Sequence, residues 1–283
     1  MFVNQLIEEK LHYLLDRGVD TSKFELKLLA GFALNISENV VMLYKEPLTE
    51  EQIKKFDQII ELRSRHWPVD KIIGCRGFYK YDFKVNCDVL TPRPDTEILV
   101  EKAVSLVQSR KLTKILEFGV GSGCVILSIL AECPNTTAIG IDISKKALDV
   151  ARENARTLNV ENRVNLINAS WFDDDILSKL GSGFDMIVSN PPYIPSNEIA
   201  MLDKEVRDFD PITALDGGQN GLRDYVKICE LAMFLLKNDG FLLFEGGENQ
   251  ANDIVSIGQN AGLTKLEILK DLNNIDRCIF LKK

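Results

Sequence analysis

Asparagine, two prolines and a tyrosine occupy positions 190–193, directly after the apolar stretch "FDMIVS". Proline fixes its φ angle and lacks a backbone N–H group, so this segment leaves the strand as a rigid loop. Carbonyl groups of such a loop can point outward as acceptors, and the Asn190 side chain adds another oxygen. Paired acceptors match a substrate –NH₂ group, which has two donors. The pattern indicates a grip on an amide or exocyclic amine, although a rigid loop that only ends a strand is the alternative.

The lone pair of such a nitrogen is delocalised, which makes it a weak nucleophile. Holding both N–H bonds orients the nitrogen and favours its pyramidal form, so that the lone pair faces an electrophile in line. Tyr193 would lie against the flat group that carries the nitrogen. A strong base is not needed at first, because the proton can leave once the nitrogen has attacked the electrophile and become cationic.

A second candidate site lies upstream, in "ILEFGVGSGCV". Gly119, Gly121 and Gly123 allow a sharp turn and a close approach to a ligand, and the next helix start offers unpaired N–H groups. A dinucleotide site favours the spacing G-x-G-x-x-G, which differs from the pattern here. Glu117 at the strand end would repel a pyrophosphate and suits a cationic group, such as the amino group of an amino acid.

Asp142 ends the next apolar strand, where a carboxylate can accept hydrogen bonds from both hydroxyls of a ribose. The expected ligand carries a ribose and a cationic end, and S-adenosylmethionine has both. After the third strand, Ser170 could bond an adenine ring and Trp171 could pack on it, but Trp171 and Phe172 could equally be core aromatics. An ordinary tight strand–helix turn is the alternative for the glycine loop.

These residues require a parallel sheet that brings the ends of several strands together. From Lys114 onward, short apolar strands alternate with helical patterns, which predicts an α/β fold with a mostly parallel sheet covered on both faces. The C-terminal stretch "LTKLEILKDLNNIDRCIFLKK" predicts an antiparallel strand at the sheet edge. The strands are predicted at "KILEF", "TAIGID", "VNLIN", "FDMIVS" and "GFLLFE", and the helices at "CVILSILAEC", "SKKALDVARENARTL" and "LRDYVKICELAMFLLK".

Three regions are predicted along the chain. Residues 1–72 have apolar residues at helical spacing and form a helical domain, with Thr49 as an N-cap. Residues 73–91 alternate aromatic and polar residues and form a β-hairpin linker. Residues 92–283 form the α/β domain. The pattern alone leaves open whether the helical domain is scaffolding or a docking surface.

The composition, with 45% hydrophobic and 27% charged residues among 283, is that of a globular protein. A net charge of −8 disfavours a general nucleic-acid surface. The six cysteines and two histidines lack zinc spacing, so free thiols and no metal site are expected. No apolar run reaches the length of a membrane span, and the N-terminus does not resemble a signal peptide, so the cytoplasm is the expected location.

Together the motifs resemble a known family. "EFGVGSG", "GID" and "NPPY" look like a class I S-adenosylmethionine-dependent methyltransferase that acts on a planar amino group. "GCRGFYKYDFKVNCDVLTPRPDTEILVE", "VRDFDPITALDGGQNGL" and "DLNNIDR" are similar to segments of the HemK/PrmC family of protein-(glutamine-N5) methyltransferases. The resemblance covers nearly the whole chain. Ser170 and Asp210 depart from it, since relatives often have an acidic residue and a glutamate there.

The resemblance implies a Rossmann-like, seven-stranded, mostly parallel sheet with an N-terminal helical domain. These enzymes methylate the glutamine side-chain amide in the Gly-Gly-Gln motif of peptide chain release factors. S-adenosyl-L-methionine would be the cofactor, S-adenosyl-L-homocysteine the product, and class 1 release factors the substrates, contacted by the helical domain. A monomer without a direct nucleic-acid or membrane partner is expected.

The same resemblance implies three sets of site residues. The catalytic residues would be Asn190, Pro191 and Tyr193. The cofactor would contact Glu117, Phe118, Gly119, Gly121, Gly123, Asp142, Ile143, Ser170, Trp171 and Asn190. The substrate would contact Asn190, Pro191, Pro192, Tyr193, Arg93 and Thr96, although Arg93 could instead organise the "TPRPDTE" loop.

Other functions share parts of the pattern. A nucleic-acid methyltransferase acting on adenine N6 would use the same grip on a flipped base, but the acidic charge and the absence of a recognisable target-reading domain disfavour it. The glycine spacing disfavours a nicotinamide-dependent oxidoreductase. Intact Asn190, Glu117 and Asp142 disfavour a non-catalytic release-factor-binding or ribosome-associated module.

Overall fold

The computed structural model describes residues 1–283, which group into two compact units. The helical unit contains residues 1–75 and 203–209, and the α/β unit contains residues 76–202 and 210–283. The sequence-based division assigned residues 203–209 to the last domain; their contacts lie with the helices, where the Phe209 ring packs 5.0 Å from that of Trp67. No helix combines the length and the apolar character that a membrane span requires.

Helices and strands are numbered along the chain. The helices are α1 (Val3–Leu15), α2 (Lys23–Leu34), α3 (Glu38–Val41), α4 (Glu50–Ser64), α5 (Val69–Ile73), α6 (Glu97–Arg110), α7 (Cys124–Glu132), α8 (Lys145–Thr157), α9 (Ile176–Leu180), α10 (Lys204–Arg207), α11 (Arg223–Leu235) and α12 (Ala251–Asn260). The strands are β1 (Cys75–Phe78), β2 (Tyr81–Lys84), β3 (Lys114–Phe118), β4 (Thr137–Asp142), β5 (Val164–Asn168), β6 (Phe184–Ser189), β7 (Leu236–Glu245), β8 (Thr264–Lys270) and β9 (Asp276–Lys282).

Capping side chains fix the starts of the two longest helices that pack on α1. The predicted N-cap Thr49 accepts a hydrogen bond from the backbone N–H of Gln52, and the Gln52 side chain accepts the backbone N–H of Thr49. Ser22 and Glu25 cap α2 in the same reciprocal way. Such caps satisfy donors that have no partner inside the helix. Apolar side chains from α1, α2 and α4 then form one core for the helical unit.

The main sheet has the strand order β5-β4-β3-β6-β7-β9-β8. This seven-stranded, mostly parallel sheet with covering helices confirms the predicted fold class. Because β3 pairs in parallel with both β4 and β6, the order reverses there, and such a reversal opens a crevice at the carboxyl ends of the strands. The register aligns Phe118 with Ile141 and with Ser189, so the residues that follow these three strands meet at one edge.

Alternating side chains of the strands build a separate core on each face of the sheet. On one face, Ile115 and Val188 pack with apolar residues of α6, α7 and α8. On the other face, Leu116 and Ile187 pack with α9, α11 and α12. Burial on both faces explains why these strands are almost continuously apolar in sequence.

The antiparallel strand lies inside the sheet, and its expected place at the edge is wrong. β9 pairs antiparallel with β7 on one side and with β8 on the other, which leaves β8 at the edge. The physical reason is apolar content: β9 buries Cys278, Ile279, Phe280 and Leu281, whereas most of β8 is exposed. Burial of apolar side chains favours the inner position for β9.

The sequence analysis did not predict α12. A glycine inside a helix weakens the helical pattern, and α12 contains Gly258. The glycine is needed for close packing, because a Cβ atom at this position would lie 2.5 Å from Cδ1 of Leu281 in β9. Tertiary packing thus outweighs local propensity here.

Candidate active site

A cleft opens at the carboxyl ends of β3, β4 and β6. Small molecules commonly bind in such a crevice of an α/β sheet. The cleft is lined by many of the residues that the sequence singled out, namely Arg93, Thr96, Glu117, Gly119, Gly121, Asp142, Ile143, Trp171, Asn190 and Pro192. The glycine loop, the two acids and the asparagine therefore share one cavity.

The other predicted residues lie around this cleft without lining it. Phe118 is fully buried in the core, and Pro191, which follows Asn190, is also buried. Ser170 lines an adjacent cavity. Gly123 forms the N-cap of α7. Tyr193 is half-buried and packs against the core on the α11 and α12 face of the sheet.

The glycine loop turns the chain from β3 into α7. Gly119, Gly121 and Gly123 have φ angles of 78°, 55° and 84°, which L side chains rarely adopt. A Cβ atom on Gly123 would also lie 2.6 Å from Cδ1 of Leu127. The chain can therefore pass close to a ligand at the start of α7.

Glu117 is a buried carboxyl group at the cleft, with 1% of the residue exposed. Its Oε2 accepts the backbone N–H of Ile126 at 3.2 Å. Burial raises the pKa of Glu117 well above its usual range, the Ile126 hydrogen bond opposes this, and Asp142 adds to it. A bound cation would favour the ionised form, so this position suits a cationic group.

Asp142 fixes the glycine loop from the end of β4. Its carboxylate oxygens accept the backbone N–H groups of Gly121 and Ser144, both at 2.8 Å. Burial raises the pKa of Asp142, and these two hydrogen bonds lower it. Carboxylate oxygens have further lone pairs, so the group can still accept hydrogen bonds from ribose hydroxyls.

Trp171 both belongs to the core and lines the cleft. Its Nε1 donates to Oδ1 of the buried Asp224 at 2.9 Å, which holds the indole in place. Phe172, by contrast, is 48% exposed and is not a core residue. The Ser170 hydroxyl accepts the backbone N–H of Phe172 at 3.1 Å and so stabilises the local turn. An adenine contact for Ser170 and Trp171 remains a prediction.

Asn190 is held at the cleft by the segment that precedes α6. Its Nδ2 lies 3.4 Å from Oγ1 of Thr96, which ends the 3₁₀ turn Pro94–Thr96. Arg93, one residue before this turn, forms an ion pair of 3.0 Å with the buried carboxylate of Asp210. This pair supports the organising role of Arg93, although its side chain also borders the cleft.

Comparisons with known proteins agree with this geometry. Family models match at residues 5–74, for the PrmC N-terminal domain, and at residues 94–204, for the methyltransferase small domain. The release factor glutamine methyltransferase of Rhodospirillum rubrum is 37% identical over 100% of this chain and 86% of its own. The corresponding protein of Caulobacter vibrioides is 38% identical over 94% of this chain and 91% of its own.

The chain belongs to the release factor glutamine methyltransferase family. This confirms the resemblance found in the sequence, and it makes the protein an enzyme that uses S-adenosyl-L-methionine. Among solved structures, a methyltransferase from Pyrococcus furiosus shares the fold, with a TM-score of 0.53 at 18% identity over 72% of this chain and 90% of that one.

The cleft of this family member fits S-adenosyl-L-methionine. The buried carboxyl group of Glu117 suits the cationic amino-acid end of the cofactor, and Asp142 suits its ribose. Gly119 and Gly121 also line the cleft, and because they lack side chains a ligand can approach their backbone closely. When bound, the cofactor supplies an electrophilic methyl group.

Sequence reasoning missed the residues that support the Asn-Pro-Pro-Tyr loop from behind. Gln250 donates from Nε2 to the carbonyl oxygen of Tyr193 at 3.0 Å. A Cβ atom on Gly217 would lie 2.6 Å from the carbonyl oxygen of Pro192, and one on Gly221 would lie 2.1 Å from that of Tyr193. Both glycines lie in the segment "DGGQNGL", which is part of the resemblance to the family. No local pattern in that segment indicates that they pack against the backbone of the Asn-Pro-Pro-Tyr loop.

Proposed function

We propose that this enzyme methylates the side-chain amide nitrogen, N5, of the glutamine in the Gly-Gly-Gln motif of class 1 peptide chain release factors. The observation that carries the proposal is the position of Asn190, which lines the same cleft as Glu117 and Asp142. A rigid loop after β6 thus presents amide-binding oxygens beside a site suited to a methyl donor. The names of the relatives support the choice of a release factor as the substrate.

Four residues in or beside the cleft carry this proposal. Glu117 and Asp142 hold the cofactor by its amino-acid end and its ribose. The Asn190 side-chain oxygen and the Pro191 carbonyl accept the two N–H groups of the substrate amide, which directs its lone pair towards the methyl group. The methylated nitrogen is cationic and transfers one proton to water, which restores a neutral secondary amide.

In this proposal Tyr193 contributes through its backbone, which belongs to the loop beside the substrate, and its side chain has no part in the reaction. Burial raises the pKa of its hydroxyl to about 12, so the phenol stays protonated near neutral pH. Its half-buried ring packs against the core. Tyr193 therefore anchors the loop in this proposal, and a stacking contact between its ring and the substrate stays a prediction.

The proposal extends to the docking of the substrate, the oligomeric state of the enzyme and its location. The helical unit is proposed to bind the release factor, since the PrmC N-terminal domain model matches it. The enzyme is proposed to act as a monomer in the cytoplasm, because release factors work on ribosomes there. Methylation of adenine N6 is the alternative, but the names of the relatives do not favour it.

The test is transfer of radiolabel from S-adenosyl-L-methionine to a purified class 1 release factor. Mass spectrometry should find one methyl group on the Gly-Gly-Gln glutamine, and a release factor with alanine in place of that glutamine should stay unlabelled. A matched incubation with single-stranded DNA and RNA should show no transfer. Labelling that persists without the glutamine would refute the assigned acceptor.

A further inference from the structure

Glu245 ends β7 beside the Asn190 loop and has no part in the assignments above. The parallel register of β6 and β7 aligns Ser189 with Phe244, so Asn190 and Glu245 follow as neighbours at the edge of the sheet. Glu245 is 2% exposed, and its Oε2 has no hydrogen-bond partner. A buried carboxyl group with an unsatisfied oxygen is costly, which points to a function.

The polar side chains that face this carboxyl group are Thr96 and Asn190. Both of them lower the pKa of this carboxyl group and so favour its ionised form. The Asn190 Nδ2 also lies 3.4 Å from Oγ1 of Thr96. The nitrogen end of the Asn190 amide therefore lies towards Thr96, which leaves its oxygen end for the cleft that Asn190 lines.

We propose that Glu245 is a positioning residue for methyl transfer, which holds the Asn190 amide with its oxygen towards the cleft. The reversed amide would place an oxygen against the carboxylate and offer an –NH₂ group to the substrate. An –NH₂ group cannot accept the substrate N–H, so the grip on the nitrogen would be lost. The inference rests on the proposed function, because it requires a substrate N–H that the Asn190 oxygen accepts.

Other charged and titratable groups around Glu245 set its protonation. Burial is the largest influence and raises the pKa of Glu245 to about 7, while Arg277 of β9 lowers it and Asp95 raises it. Burial also raises the pKa of the remaining groups that interact with it, so these stay neutral near pH 7. They are Tyr193, Tyr225, Cys124 and Cys278.

Protonation should weaken the positioning. A protonated carboxyl group offers a donor as well as an acceptor and no longer distinguishes the two orientations of the Asn190 amide. With both substrates saturating, kcat is therefore expected to fall to a lower plateau as pH drops through the pKa of Glu245.

The experiment compares kcat as a function of pH for the wild type, Glu245→Gln and Glu245→Leu. The glutamine offers a donor as well as an acceptor, like the protonated carboxyl group, and it cannot titrate, so this variant should have the lowered kcat of the acid form and lose the acidic limb. The leucine removes the acceptor and should lower kcat by about 100-fold while the KM for S-adenosyl-L-methionine changes less than about threefold. Glu248→Gln, an exposed position three residues away, should keep the wild-type profile.

Each outcome decides the proposal. An acidic limb that persists in Glu245→Gln, or a wild-type kcat in Glu245→Leu, overturns the positioning role. Circular dichroism identifies a leucine variant that fails to fold, and the glutamine profile then decides alone. Failure of the proposed function gives a different result, because the wild-type enzyme itself would then transfer no methyl group to the release factor.

Discussion

The side chain of Gln250 donates a hydrogen bond from Nε2 to the carbonyl oxygen of Tyr193 over 3.0 Å. The same Gln250 accepts the backbone N–H of Gly247 through its Oε1, so its amide joins the start of α12 to the candidate catalytic loop. Gly221 packs directly against this contact. The position of the loop therefore depends on residues far from it in sequence.

Gly221→Ala should displace the loop and lower kcat for release factor methylation. The added Cβ atom would lie 2.1 Å from the Tyr193 carbonyl oxygen, at a φ of 71°. The left-handed backbone alone costs about 1–2 kcal/mol, and the close contact adds a further 1–3 kcal/mol or so. Gly18→Ala is the control, because Gly18 has the same φ and no atom within 4 Å of an added Cβ. Equal losses of stability in the two variants, measured by urea denaturation, would contradict the contact.

Arg63→Leu should destabilise the helical unit. The Arg63 guanidinium is 1% exposed and donates to the carbonyl oxygen of Asp20 at 2.7 Å and to Glu205 at 2.5 Å. Removing it leaves these acceptors without their donor, which should lower the free energy of unfolding by about 2–3 kcal/mol. Hydrogen exchange of α4 and of residues 203–209 should become faster.

Arg65→Leu is the matched control for this change. Arg65 is two residues away, its side chain is 68% exposed, and it pairs only with the exposed Glu61. Exposed pairs of this kind contribute less than about 1 kcal/mol. If both variants have the same urea midpoint, the buried contacts of Arg63 do not stabilise the unit.

The sequence was sufficient to predict the fold where local patterns and burial agree. Apolar strands alternating with amphipathic helices predicted the parallel sheet, and the chain order of its motifs placed Glu117 and Asp142 at one edge. β9 was misplaced because the C-terminal stretch has no helix, which suggested an antiparallel strand at the edge, whereas the apolar content of β9 favours the inner position. Gly258 hid α12, since the packing that requires a glycine is visible only in three dimensions.

The same distinction applies to the candidate site. Residues that lie in motifs, such as Asn190 and the glycine loop, could be found because chemistry dictates their types and spacing. Glu245 and Gln250 could not, because their partners are more than fifty residues away along the chain and nothing in the local sequence marks them. The structure also separates the backbone of Tyr193, which is fixed by Gln250, from its ring, which packs against the core.

Binding of S-adenosyl-L-methionine should weaken as pH falls. The pKa of Glu117 is raised by burial, and a bound cation favours the ionised carboxylate, so binding should release a proton at pH values near that pKa. Titration calorimetry in buffers of different ionisation enthalpy measures this proton release. In Glu117→Gln the affinity should be lower and the proton release from this site should vanish.

At pH values above the pKa that Glu117 has in the unfolded chain, Glu117→Gln should also stabilise the ligand-free enzyme. A group whose pKa is raised in the folded state gives stability below its unfolded pKa and loses it as pH rises through the folded pKa. A neutral amide avoids that loss, so the variant should have a higher Tm than the wild type at about pH 8, provided that the amide keeps the Ile126 hydrogen bond. A lower Tm at that pH would show that burial of the carboxylate is not the dominant cost.

Asn190→Ala should lower kcat far more than cofactor affinity. The alanine removes one of the two oxygens that are proposed to hold the substrate amide, an interaction needed in the transition state, so a loss of about 100-fold or more in kcat is expected. Asp142→Ala is the informative counterpart, because Asp142 supports the glycine loop through Gly121 and Ser144 and should mainly weaken binding of S-adenosyl-L-methionine. Calorimetry and single-turnover methylation of a release factor separate the two effects. Equal losses of affinity in both variants would mean that Asn190 shapes the cofactor pocket, and the amide grip would then have to be assigned to other atoms of the loop.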